Sequence, residues 1–278
     1  MDERQSLQPV LVVDLFPELL AGLISLLTDL SEEDWLKPTV CAPWTVKDVA
    51  FHLLGGDIGY LSWQRDEYSA FPEINSWEHL VELINQQNDR WFQTGYRFST
   101  QLLLELLQFT GEKFTHFIAS VDPFEMSNPV EWVGPDPAPK WVDIAREYTE
   151  RWHHQQHIRD AVGKHGFNQP RFLTPVLDTF MLAVPQTFNQ TQAETGTIIQ
   201  IDITGPAGRN WILEKLPDRW ALTIGESSGW QAKVELDEDT AWRVFTRGIE
   251  YQDSLSKAVI QGNQPLGQKV LQTVSIIA

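Results

Sequence analysis

The chain contains a single cysteine, Cys41, among 278 residues. An internal disulfide is therefore excluded, and the usage fits a reducing compartment. Flanked by Val40, Ala42 and Pro43, that cysteine reads as plain packing. Long hydrophobic runs are missing too. No window reaches the roughly 18 consecutive apolar residues of a spanning helix. The start, Met1-Asp2-Glu3-Arg4-Gln5, has neither the basic beginning nor the apolar core of a signal peptide. The expectation is a cytoplasmic protein. Basic residues are scarce, 21 Lys and Arg against 38 Asp and Glu, for a net charge of -17. Such a surface disfavours nucleic acid and anionic membranes as partners, because both need a basic face. Internal repeats and low-complexity runs are absent as well.

What is present is apolar and aromatic: 42% hydrophobic residues and 11% aromatics, ample for two packed domains. A first helix is expected from near Asp14, with Pro17 in its first turn, ending around Ser31-Glu32-Glu33-Asp34. Thr45 stands as the cap of a second helix that carries His52, with Gly55-Gly56 marking close approach of a neighbouring backbone or a ligand. Ser76 caps a third helical segment, and Ser99 begins another that runs past Gly111 to Ile118. Pro129, Pro135, Pro137 and Pro139 make 126–139 a long connecting loop, fit for a lid or rim. Trp141 opens a further helix that Gly163 and Gly166 terminate. Several long helices with one long connection form the pattern of a bundle, which builds metal sites from side chains on facing helices.

After about Asn168 the pattern changes. Thr174-Pro175 reads as the start of a helix that Pro185 stops, and strands are expected at 197–204, 211–215, 220–224 and 231–236. Asp237 caps a helix, and 266–274 forms a last one. The expected organisation is an all-α bundle over residues 1–166 followed by a smaller α+β domain over 167–278.

The most informative stretch is Glu147 to Asp160, which holds three of the seven histidines among charged residues on a helix. At 3.6 residues per turn Glu150 and His154 share a face, a geometry a zinc-like ion can use if a third ligand arrives from elsewhere. His52, set among apolar neighbours on another bundle helix, is the candidate. His153 and His157 are also four apart, so periodicity leaves both registers open. Glu147 reads as a solvated charge, and His79, His116 and His165 as surface residues.

Pro43-Trp44-Thr45-Val46-Lys47-Asp48-Val49-Ala50-Phe51-His52-Leu53 resembles the "WTVRDLLAHL" signature of the mycothiol-dependent maleylpyruvate isomerase family, a branch of the DinB-like metal-binding bundles. Glu150-Arg151-Trp152-His153-His154 resembles that family's "E-x-W-x-H" helix. Gly205-Pro206-Ala207-Gly208, Trp211, Trp220, Asp239 to Arg243 and Gly262-Asn263 more loosely resemble the sterol-carrier-like C-terminal domain of these proteins. On this match His52, Glu150 and His154 fall on the metal ligands, and His153 and His157 face away or stand behind them. His157 departs from the pattern, where many relatives place an Asp.

The resemblance implies a DinB-like four-helix bundle, a divalent metal (zinc or nickel) and a low-molecular-weight thiol such as mycothiol as cofactors, and a small-molecule electrophile as substrate. A thiolate would add to a conjugated double bond, allow rotation and leave again in an isomerase, or stay attached in a transferase. Arg243 is the candidate to pair with a substrate carboxylate. Two other readings stay open: a metal-dependent thiol S-transferase on another electrophile, and a non-enzymatic ligand-binding protein.

Overall fold

The structure is a computed structural model that describes residues 4–68, 72, 74 and 76–276. Packing divides the chain into two compact units whose segments alternate along the sequence, in place of one boundary at 166/167. One comprises 12–123 and 147–167, the other 1–11, 124–146 and 168–277.

The first unit is helical. Its elements are α1 (Phe16–Thr28), α2 (Glu32–Trp35), α3 (Val46–Tyr60), α4 (Trp77–Gly95), α5 (Thr100–Ile118) and the greater part of α6 (Lys140–Val162). A single 3-10 turn, Val13–Leu15, leads into α1, and Pro17 sits in the first turn, where its missing amide costs nothing. Ser31 does not close α1. It caps α2 through a capping box with Asp34, the acidic run having been misread as a helix end. The core joins Leu23, Leu26 and Leu27 of α1 with Val49, Ala50, Phe51 and Leu54 of α3, Leu103 and Leu107 of α5 and Ile158 of α6. Four helices thus share one apolar centre, as in a bundle. The fifth long helix, α4, lends only an edge: Trp91 stacks on Phe51 at 4.5 Å and donates its indole N–H to the Phe51 carbonyl at 2.7 Å. This explains Gly55, since a Cβ there would stand 2.8 Å from the Trp91 indole nitrogen. The close neighbour of Gly55 is a side chain and not the backbone expected, and a Cβ on Gly56 would meet nothing within 4 Å.

The second unit is built on a six-stranded sheet. Its strands are β1 (Arg4–Gln5), β4 (Ile198–Thr204), β5 (Asn210–Lys215), β6 (Trp220–Gly225), β7 (Ala232–Asp237) and β8 (Val259–Gly262), in the order β1-β6-β5-β4-β7-β8. Among the described residues only β4 and β7 run parallel. β4 lies centrally and is buried on both faces from Ile198 to Ile201, as a covered strand must be. The Gly205–Gly208 turn after it is tight enough that a Cβ on Gly208 would strike the Ile203 carbonyl oxygen. The helices are α7 (Pro170–Met181), α8 (Val184–Thr187), α9 (Glu238–Phe245), α10 (Tyr251–Lys257) and α11 (Gln264–Val270).

The expected helix start at Thr174-Pro175 is wrong. Pro170 takes the first helical position, and Thr174 lies inside α7, its hydroxyl donating to the Ala207 carbonyl at 3.0 Å. Pro185 likewise opens α8 instead of stopping α7. The proline-rich connection is folded on itself and is not an unstructured loop. β2 (Met126–Ser127) and β3 (Ala138–Pro139) pair at its neck, and Val130 and Trp132 bury themselves with Val142 and Ala183.

Asp178 on α7 gives a first test. One carboxylate oxygen meets Arg209 at 3.2 Å, while the other is buried without a hydrogen-bond partner. Burial pushes the carboxyl up to about 6 against the pull of Arg209. A carboxyl raised in the folded state binds its proton more tightly there, so stability should fall as pH rises from about 4 to about 6. The unfolding free energy from denaturant titrations across that window should carry a fall of about 3 kcal/mol from this group. Asp178→Asn should flatten the slope, and a slope unchanged in the variant would remove Asp178 as its source.

Candidate metal centre

The site is organised by α6. Its 23 residues contain neither proline nor glycine, and from Tyr148 to Arg159 all but Glu150 and Arg151 are buried. A helix buried around its whole circumference has no solvated face, so its polar groups must find partners within the protein. Glu147, expected to be a solvated charge, is buried and meets Arg151 at 2.6 Å, and Arg151 meets Asp57 of α3 at 2.7 Å. Gln155 donates to the Leu19 carbonyl at 3.0 Å, and Trp152 donates to the Phe167 carbonyl at 2.9 Å.

α3 supplies the other half. Thr45 caps it, with its hydroxyl accepting from the Asp48 amide while the Asp48 carboxylate accepts from the Thr45 amide. This reciprocal cap fixes where the helix begins and therefore which way His52, two turns in, projects. The Trp44 ring stands 5.0 Å from the His52 ring and 4.6 Å from Phe92, walling the imidazole on one side.

The two helices bring His52, Glu150 and His154 together. The Nε2 atoms of His52 and His154 lie 3.0 and 3.1 Å from the same oxygen, Glu150 Oε1. One donor atom from each of the three residues falls within 4.8 Å of the other two. Burial favours neutral His154 and outweighs the opposing pull of Glu150, leaving the imidazole in the form a metal ligand requires. Burial would raise the Glu150 carboxyl, but its contacts with His154 and the hydrogen bond of His52 hold it well below the usual range. Two imidazoles and a carboxylate are a donor set that borderline divalent ions accept. The Glu150 side chain keeps 34% of its surface exposed and that of His154 only 8%, so the cluster opens to solvent at the carboxylate.

His153 and His157, spaced like ligands themselves, serve otherwise. His153 is fully buried and donates from Nδ1 to the Thr149 carbonyl at 2.7 Å; burial pushes it down to about 3. His157 meets Cys41, whose Sγ lies 3.0 Å from its Nδ1. Cys41 is thus more than packing. Spacing gave no warning of this, because 116 residues separate the pair. Burial, reinforced by the charge of Glu150, pushes the thiol up to about 12, so it stays protonated at neutral pH. Arg243 lies on α9 in the other unit, its guanidinium held by both carboxylate oxygens of Asp239 at 2.9 and 3.1 Å and packed over the Trp242 ring. His116 and His165 are exposed and His79 is half-buried.

Residues 16–159 match the family model described as the mycothiol maleylpyruvate isomerase N-terminal domain. Among solved structures, the crystal structure of the mycothiol-dependent maleylpyruvate isomerase aligns with a TM-score of 0.52 at 12% identity, covering 84% of this chain and 88% of that one. A histidine-to-alanine mutant of that enzyme aligns with the same TM-score at 10% identity, over 90% and 91% of the two chains. At such identities the likeness is one of fold. No curated protein sequence matches the chain.

Proposed function

This chain belongs to the mycothiol maleylpyruvate isomerase N-terminal domain family, and on that premise we propose that it is a metal- and thiol-dependent isomerase of maleylpyruvate or a closely similar conjugated electrophile. The observation that carries the reading is the convergence of His52 and His154, from two helices, on one oxygen of Glu150. These three residues would hold a divalent ion, zinc or nickel, which when bound stabilises the thiolate of a coordinated low-molecular-weight thiol near neutral pH. Glu150 contributes the negative charge of the donor set, and the neutral His154 contributes a lone pair without first losing a proton. Trp44 holds the His52 ring in place and covers one flank with apolar surface, which keeps water from that side. The exposed edge of Glu150 is where thiol and substrate would enter.

Turnover of maleylpyruvate by purified protein loaded with zinc or nickel tests the reading, with mycothiol, other biological thiols or no thiol added. Turnover is expected only with both metal and thiol, and it should vanish on chelation. Absence of turnover with every thiol, in protein shown to hold the metal, would overturn the isomerase assignment.

A further inference from the structure

His154 has two ring nitrogens, and Glu150 accounts for only one of them. Nε2 faces the carboxylate at 3.1 Å, while Nδ1 is buried in a residue only 6% exposed and has no hydrogen-bond partner. A buried polar atom without a partner is costly and calls for an explanation, an ion among them. The same histidine belongs to a second cluster. Cys41, His154 and His157 each offer a ligand atom within 4.8 Å of the other two. His154 and His157 stand three apart on α6 and so share one of its faces.

The Cys41 end is held by its own loop. The Thr39 amide donates to the Trp44 carbonyl at 3.0 Å, the Cys41 amide to the Thr39 hydroxyl at 3.2 Å, and the Trp44 amide to the Cys41 carbonyl at 2.9 Å. The backbone that carries the thiol is therefore held in place within its own loop.

We propose that Cys41, His154 and His157 form a second cation site, selective for soft thiophilic ions such as Cd2+ and Cu+, beside the His52–Glu150–His154 cluster and sharing His154 with it. One sulfur and two imidazoles suit such ions, whereas the first cluster, with a carboxylate and no sulfur, suits harder ones. Binding exchanges the thiol proton for the ion: the S–H bond breaks, a sulfur–metal bond forms from the same electron pair, and the proton passes to solvent. The proposal stands apart from the isomerase reading, since it requires neither His52 nor Glu150.

The test uses the full chain carrying His52→Ala, so that the first cluster is disabled, and Cd2+ as the probe. Binding is read by thiolate-to-cadmium charge-transfer absorption in the ultraviolet. One equivalent of Cd2+ should produce the band in the His52→Ala chain and in the native one. Adding Cys41→Ser should abolish it, and adding His157→Gln should weaken Cd2+ binding by about tenfold or more. Circular dichroism on each variant establishes that the helices are intact, and Cys41→Ser changes a single atom. Absence of the band in the folded His52→Ala chain would overturn the proposal. So would an unchanged affinity in His157→Gln, which would mean that the thiol binds cadmium without its neighbours.

Discussion

In a Cys41→Ser background, Glu150→Gln and His154→Ala should each weaken Ni2+ or Zn2+ binding by more than the roughly 10–100-fold that loss of an outer-shell partner costs. The background matters, because it removes the Cys41 sulfur from beside His154. Glu150→Gln is the sharper variant. It keeps the shape of the side chain and an oxygen able to face both imidazoles at their present 3.0 and 3.1 Å, and removes only the charge. Loss of the ion would therefore report ligation and not collapse of the site. His153→Gln is the contrast, since it changes a histidine equally close in sequence. Its Nδ1 is committed to the Thr149 carbonyl, so the ion should remain bound. Titration calorimetry with the metal-free variants decides. Glu150→Gln binding the ion as tightly as the parent, or His153→Gln losing it as fully as His154→Ala, would sink the assignment.

The contrast between His153 and His154 also shows what the residues alone could convey. Periodicity identifies a helix face only when one face is buried and the other is wet. α6 is buried nearly all round, so the 150/154 and 153/157 registers look alike in the sequence, and motif resemblance had to separate them. Glu147 was misjudged for the same reason, because a charged residue reads as solvated unless the far side of its helix is known to be covered. Local chemistry was easier to read. The caps at Thr45, Ser76, Ser99 and Asp237 lie where hydroxyls and carboxylates precede apolar runs, and the strands follow two-residue alternation. Prolines misled where two competed for one helix start, as at Pro170 and Pro175. β1, β8 and α10 went unseen, being two to seven residues long and carrying no apolar period. The meeting of Cys41 with His157 is a product of tertiary packing alone.

The second large effect is expected one turn beyond the metal cluster. Asp57→Ala should destabilise the helical unit by about 3–5 kcal/mol, the range for stranding one partner of a buried ion pair. Native stabilities are only about 5–15 kcal/mol, so this is a large share. Asp57 accepts from Arg151 at 2.7 Å and from the Thr110 hydroxyl at 3.1 Å, and the Asp57 and Arg151 side chains are 6% and 13% exposed. Arg151 also donates to the Glu147 carboxylate at 2.6 Å and lies 3.6 Å over the Phe114 ring. Burial disfavours the guanidinium charge, but Asp57 and Glu147 together more than restore it. Without Asp57 the cation keeps one carboxylate and loses one of the contacts that tie α6 to α3. His52 and Asp57 both lie on α3, while Glu150 and Arg151 are neighbours on α6. The two contacts between these helices therefore set one register, and the ion pair can hold it whether or not a metal is bound. Asp57→Leu combined with Arg151→Met should cost less than the sum of the single changes, because neither member of this pair is left buried without the other, while the loss of the Arg151 contact to the buried Glu147 carboxylate is common to the double variant and the Arg151 single. Urea midpoints of the two single variants and the double measure the coupling. Additive losses would mean that the pair does not act as a unit. A full coupling energy together with unaltered metal affinity in the double variant would assign the register to packing of the apolar core.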